Sequence, residues 1–228
     1  MKINVKTTKE MRISKDPRGT VSVLMDGQVV EQVKGFKYLG AMITEDGRCE
    51  TEVKVRIAMA KEAFNKRKEL LSRNMSRRVK KKVVKAIVWT VAQYGCETWT
   101  LKKEEIQRLN ALEMWIWRRM EKISWKDLKT NEEVLDVINE ERCFVENIVK
   151  RKKNWTGHIL RGDGLLKDVV EGRMEGKRPG GRKRIGMIDD LKEGLSYGIL
   201  KRRAENQDRW KSCMPRTCQL RTCQLAEH

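Results

Sequence analysis

"FKYLGAMITEDG", Phe36 to Gly47, is the stretch on which the fold turns. It is an aromatic and aliphatic run closing on Asp46-Gly47, inside a chain otherwise crowded with lysine and arginine. Phe36 to Thr44 reads as a strand, and the Asp-Gly pair that follows supplies the positive φ of a turn. Upstream, "VSVLM" and "QVVEQV" flank Asp26-Gly27, the usual pair for a two-residue hairpin turn, so residues up to about 45 read as strands.

From Glu50 the period changes. Val53, Ile57, Ala60 and Phe64 recur at three- and four-residue steps, which places them on one face of a helix running to about Ser72. A second helix, Ser76 to about Tyr94, turns Val84, Ile87, Val88 and Val91 inward and gathers Arg78, Lys81, Lys82 and Lys85 on another side. Such a basic stripe lies along a phosphate backbone or is an ordinary solvated face. A third helix from about Leu101 carries Ile106, Leu109, Leu112, Ile116, Met120 and Ile123, flanked by Trp115 and Trp117. Tryptophans beside an apolar stripe read as core or interface before they read as platforms for bases. Thr130 and Glu133 form a capping box opening a short helix with Val134, Leu135 and Ile138. Val145, Ile148, Trp155 and Ile159 mark another helix, ended by Gly162-Asp163-Gly164. A last helix is expected from about Met187 towards Trp210, and the duplicated "RTCQL" tail has no periodic apolar face.

The chain has 228 residues and a formal net charge of +19, an excess that attracts polyanions through counterion release whatever the fold. Nucleic acid is therefore the expected partner, through the stripe and through Lys177, Arg178, Arg182, Lys183 and Arg184 of the Gly-rich segment "EGRMEGKRPGGRKRIG". That segment reads equally as a plain basic linker or an import signal. Six cysteines, none in a Cys-x-x-Cys pair, and two histidines leave little material for a metal site. No apolar run approaches a membrane span, and "MKINVKTTKE" lacks the core of a signal peptide, so an intracellular protein, nuclear or cytoplasmic and away from membranes, is expected.

"MIDDLKE", Met187 to Glu193, is the most enzyme-like stretch, but its carboxylates sit in helical pattern, where an acidic first turn complements the helix dipole. His158 is a lone imidazole with no neighbouring nucleophile in sequence and reads as a packing or capping residue. From the residues alone, the chain is a basic, mostly helical module with no complete catalytic set.

The order of "MKINVKTTKEMRIS", "VKGFKYLGAMITEDG", "QYGCETWTL", "RRMEKISWKDLKTNEEV", "RKKNWTGHILR" and "GKRPGGRKR" before "IDDLKE" resembles the carboxy-terminal part of reverse transcriptases from non-LTR (LINE-type) retrotransposons. The resemblance covers about Met1 to Trp210. It implies that Phe36, Tyr38, Leu39 and Gly40 form the primer grip, a hairpin that holds the primer end, and that Gly40 lets backbone approach a nucleic-acid strand. It implies too that the helices after them form a thumb around the primer-template duplex.

In that family a Phe/Tyr-Ala-Asp-Asp turn binds the catalytic Mg2+ ions. By the resemblance that turn belongs before Met1, together with the fingers and the upstream palm, which would be this chain's partners in a full-length parent. Pro179-Gly180-Gly181 departs from the usual basic loop, and the duplicated tail has no counterpart.

The expectation is an α+β fold with short antiparallel strands, the palm edge and primer grip, followed by a mostly α-helical thumb and C-terminal region. Its parts are a palm remnant and grip hairpin (1–47), a thumb-like region (48–126), a helical region (127–170), a basic linker (171–186), a terminal helix (187–211) and a disordered tail (212–228). No cofactor is expected in this chain. Alone it is expected not to polymerise, and it holds RNA, DNA or an RNA-DNA hybrid as the rear part of a polymerase. The alternatives are a sequence-tolerant binding remnant and an inert pseudogene product.

Overall fold

The structure, a computed structural model, describes residues 4, 7–13, 22–67, 75–172, 185–192 and 194–212. The fold is α+β, with small two-stranded sheets at the amino-terminal end and helices after them. Asp26 and Gly27 both take positive φ, 51° and 75°, and join β2 (Leu24–Met25) to β3 (Gln28–Val29) as an antiparallel hairpin. Not every pairing is antiparallel as expected. β1 (Lys9–Glu10) runs parallel to β4 (Glu31–Gln32).

Phe36 to Thr44 is two strands rather than one. β5 (Gly35–Tyr38) and β6 (Ala41–Thr44) pair antiparallel across Leu39-Gly40, with Phe36 opposite Ile43 and Tyr38 opposite Ala41. Leu39 and Gly40 both have positive φ, 47° and 84°, the backbone signature of a tight hairpin turn. Sequence alone favours a straight strand here because leucine is a poor residue for that conformation.

Helix α1 (Glu50–Lys66) buries Val53, Ala60 and Phe64 and half-buries Ile57, the expected face. The second helix departs from expectation. α2 (Arg77–Val83) runs into a π-helical segment, Val84–Trp89, and then α3 (Thr90–Ala92). A π turn carries about one residue more than an α turn, so the buried face advances. Val84 and Val88 are buried, but Trp89 and Ala92 follow them inward and Ile87 and Val91 stay half-exposed.

Helix α4 (Lys103–Met120) places Leu109, Leu112, Ile116, Trp117 and Met120 in the core. Thr130 and Glu133 form the expected box before α5 (Asn131–Ile138), at 3.2 and 2.6 Å. Val134, Ile138 and the first turns of α6 (Phe144–Arg161) complete one core that runs from Val53 to Ile148. Each large side chain withdrawn from water there contributes ~1.5–3 kcal/mol. Helix α7 (Leu165–Glu171) leaves Leu165, Leu166 and Val169 exposed, and so leaves no inward face for periodicity to reveal.

The single helix expected from Met187 to Trp210 is three short ones. α8 (Asp189–Lys192) ends before Gly194 at φ 81°, and the extended Ser196 precedes α9 (Tyr197–Glu205). Asn206 is extended and its Oδ1 accepts from the amides of Asp208 and Arg209 at 3.1 and 3.0 Å, which opens α10 (Gln207–Ser212). The breaks fold Leu191, Leu200, Ala204 and Trp210 back onto Val149 and Leu160 as a second core.

Candidate nucleic-acid interface

The β5–β6 hairpin tip is fastened to the helices by three side chains. Arg56 of α1 donates from Nη2 to the carbonyl of Gly40 at 2.5 Å and from Nε to Glu52 Oε1 at 2.5 Å. Glu52 in turn accepts the amide of Met42 through Oε2 at 2.6 Å, an amide of β6 that points away from β5. Tyr94, just beyond α3, donates its hydroxyl to the carbonyl of Leu39 at 2.8 Å, and its ring lies 4.3 Å beneath the Arg56 guanidinium. Both turn carbonyls and one edge amide are thereby satisfied by side chains. A left-handed leucine costs ~1–2 kcal/mol, and these charge-assisted bonds at buried Arg56 and Glu52 offset it.

The clamp leaves the tip presented to solvent. Leu39 is 75% and Tyr38 57% exposed, and Phe36 lies on the same side of β5 as Tyr38. The four residues expected at the grip thus occupy one hairpin. The space above Gly40 holds Tyr94 and Arg56 of this same chain, at ordinary contact distance from a Cβ built there. Sequence reasoning missed Glu52, Arg56 and Tyr94. The one available signal was the Glu52/Arg56 spacing of four residues in "ETEVKVRIA", which sets an acid and a base on one helix face.

The basic stripe divides into two pairs. Arg78 and Lys82 are exposed. Lys81 instead donates to the carbonyls of Ile138 and Asn139 at 3.1 and 3.2 Å, where the end of α5 leaves carbonyls without helical partners. Lys81 and Lys85 also pair with Glu140 at 3.1 and 2.8 Å. Burial would raise the Glu140 carboxyl, but the bonds from Lys85 and Lys81 hold it below the usual carboxylate range. Lys177, Arg178, Arg182, Lys183 and Arg184 lie outside the described residues.

The acidic pair of "MIDDLKE" does not fit a metal ion. Asp190 Oδ2 bonds the Lys152 ammonium at 2.7 Å, and Asp189 accepts the amide of Gly186 and pairs with Lys192 at 2.9 Å. Among the described residues no group of three or more His, Cys, Asp or Glu side chains converges as a metal site would. Burial pushes the Cys96 thiol up to about 12 and Cys143 up to about 11, so neither is a ready nucleophile. Trp117 is fully buried, while Trp115 is half-buried, edge-on to Phe64 and flanked by Lys61 and Arg119. Among the described residues no helix is long and apolar enough to cross a membrane.

The chain is similar to an uncharacterized, transposon-derived protein of Caenorhabditis elegans, 25% identical over 135 residues. The match covers 58% of this chain and 48% of that protein, so the chain spans about half the length of the curated relative it matches. No protein-family model matches. No solved structure matches either.

Proposed function

We propose that this chain is a segment of a transposon-derived protein that holds a primer-template duplex for RNA-directed DNA synthesis, without carrying the catalytic carboxylates itself. The likeness to the Caenorhabditis elegans protein supports a transposon origin. The order of motifs from Met1 to Trp210 supports the narrower reading, a non-LTR retrotransposon reverse transcriptase. The observation that carries the duplex-holding role is the clamp. Buried Arg56 ties the Gly40 carbonyl, Glu52 and Tyr94 together, and so presents Tyr38 and Leu39 on a fixed turn. A rigid apolar tip is suited to pressing on the sugar and backbone of a strand, while exposed Arg78 and Lys82 supply phosphate contacts.

The test is fluorescence anisotropy of the full chain with an RNA-DNA hybrid over a range of salt. Affinity is expected to fall steeply with salt, and Arg78→Gln with Lys82→Gln to reduce the salt slope by about two. Leu39→Asp or Tyr38→Ala is expected to weaken hybrid binding about tenfold at unchanged melting temperature. Salt-independent binding, or full affinity in both tip variants, sinks the reading. With Mg2+ and deoxynucleotides the chain alone is expected to extend no primer. Extension that Tyr38→Ala abolishes would overturn that part.

A further inference from the structure

A groove of about 530 Å³ is lined by α4 between Gln107 and Arg118, by Asn131 at the start of α5 and by Arg142. Its volume falls in the range of small-molecule sites, ~300–1,000 Å³. Half-buried Trp115 gives it an aromatic rim beside the buried Met114, and Arg118 and Arg142 bring two guanidinium groups to its walls. Asn110 and Asn131 add amides, and no carboxylate lines it. The groove therefore joins positive charge, a flat apolar surface and neutral hydrogen-bonding groups in one concavity.

Three details give it a preformed character. Arg118 is held by the carbonyl of Lys129 at 2.7 Å and by Asn131 Oδ1 at 3.2 Å, which fixes its plane and leaves its other N–H donors unassigned by those bonds. Arg142 stands 3.7 Å from Glu132, whose side chain is 76% exposed, a pair too long and too open to hold the guanidinium firmly. Asn110 Oδ1 is buried and has no hydrogen-bond partner. A buried acceptor left unmade costs ~1–3 kcal/mol, which a donor on a bound molecule would recover.

We infer that this groove binds a nucleotide, with its phosphate between Arg118 and Arg142, its base against the Trp115 rim, and a base amine or sugar hydroxyl donating to Asn110. Charge asks for an anion, the Trp115 rim for a flat apolar body and the orphaned amide for a donor, and a nucleotide supplies all three. An acidic peptide supplies only the first. The groove lies apart from the β5–β6 tip, so the inference does not rest on the duplex-holding role. The nucleotide is either free or one residue of a single strand.

The test is photo-crosslinking of the full chain with two probes, 4-thio-uridine triphosphate and a twelve-nucleotide RNA carrying one 4-thiouridine, mapped by mass spectrometry. Crosslinks are expected within 107–118 or 131–142, and Arg142→Gln and Asn110→Leu are each expected to reduce them about tenfold without a fall in melting temperature. Arg118 is spared because it also ties the 129–131 segment to α4. Capture of both probes identifies a free-nucleotide site, and capture of the RNA alone identifies a strand residue. No crosslink at millimolar probe, crosslinks confined to other segments, or full crosslinking in both variants overturns the inference. So does a poly-glutamate peptide that displaces the RNA as well as unlabelled RNA does. Tyr38→Ala is expected to leave these crosslinks intact, which separates this site's failure from that of the hairpin.

Discussion

The indole of Trp210 occupies the place a side chain on Gly157 would need: a Cβ built on Gly157 falls well inside contact distance of three indole atoms. Gly157 lies within α6, where glycine is unfavourable by ~1 kcal/mol, so the position is held for packing. Trp210 also donates its Nε1–H to the carbonyl of Lys153 at 3.0 Å, and Lys153 lies over its ring. Gly157→Ala is expected to lower unfolding free energy by ~1–3 kcal/mol through overpacking. In a Trp210→Ala background the same change should cost little, because its obstacle is gone. Additive losses in urea denaturation of the double variant would refute this contact.

Lys152, almost wholly buried, donates to the carbonyl of Trp99 and to Asp190, each at 2.7 Å, and so fastens α8 to the middle of α6. Burial raises the Asp190 carboxyl, and Lys152 opposes that rise. Lys152→Met leaves the carboxylate without its cation and is expected to cost ~3–5 kcal/mol. Lys152→Met with Asp190→Leu, which removes both partners, is expected to recover most of the loss. Hydrogen exchange at the Leu191 amide should report the same order, fastest in the single variant. Equal destabilisation of single and double variants would argue that the lysine acts by packing alone.

What was legible in the sequence follows from the physics of each signal. The α1 face, the α4 face from Leu109 to Met120 and the Thr130–Glu133 box rest on local periodicity and local hydrogen bonds, and they stand as read. Ile123, read as the last position of the α4 stripe, lies past the helix end at Met120 and the positive-φ Lys122. The π turn at Val84–Trp89 shifted the inward face because nothing local marks an inserted residue. Gly194 and Asn206 broke the terminal helix where longer-range packing on Val149 and Leu160 favoured a fold-back. At the candidate site the motif order singled out Phe36 to Gly40. The clamp residues Glu52, Arg56 and Tyr94 come from helices outside the hairpin, and only the folded chain brings them to it.

Glu113 on α4 is fully buried and accepts the amides of Cys143 and Phe144 at 3.1 and 3.2 Å, serving as a remote cap for α6. Burial pushes its carboxyl up, against those two amides and nearby Arg142. A raised folded value means that ionisation favours the unfolded chain. The stability tied to this group is full below the ordinary carboxylate pKa and declines as pH rises through the raised one. Glu113→Gln keeps an oxygen for both amides and does not ionise. Relative to the parent chain it is expected to gain stability as pH rises above the ordinary carboxylate range. A urea midpoint difference that stays constant with pH would show that Glu113 keeps an ordinary pKa.

The Arg56 clamp makes the sharpest link from sequence to proposed role. Arg56→Met removes the bond to the Gly40 carbonyl and the cation above Tyr94, and leaves Glu52 buried without its charge partner. The loss is expected at ~3–5 kcal/mol, felt first at the turn, because Leu39 then holds a left-handed backbone with only Tyr94 in support. Hydrogen exchange at the Met42 amide should rise well before exchange in the α4 core. Arg56→Lys restores charge but not the two-pronged geometry, and is expected to recover only part of the protection. If the tip is the duplex contact, hybrid binding must track turn order. Tyr94→Phe, which removes one hydroxyl bond and keeps the ring under Arg56, should then lie between the parent and Arg56→Met in both exchange and affinity. Exchange that loosens while affinity stays fixed would separate the clamp from binding and return it to folding alone.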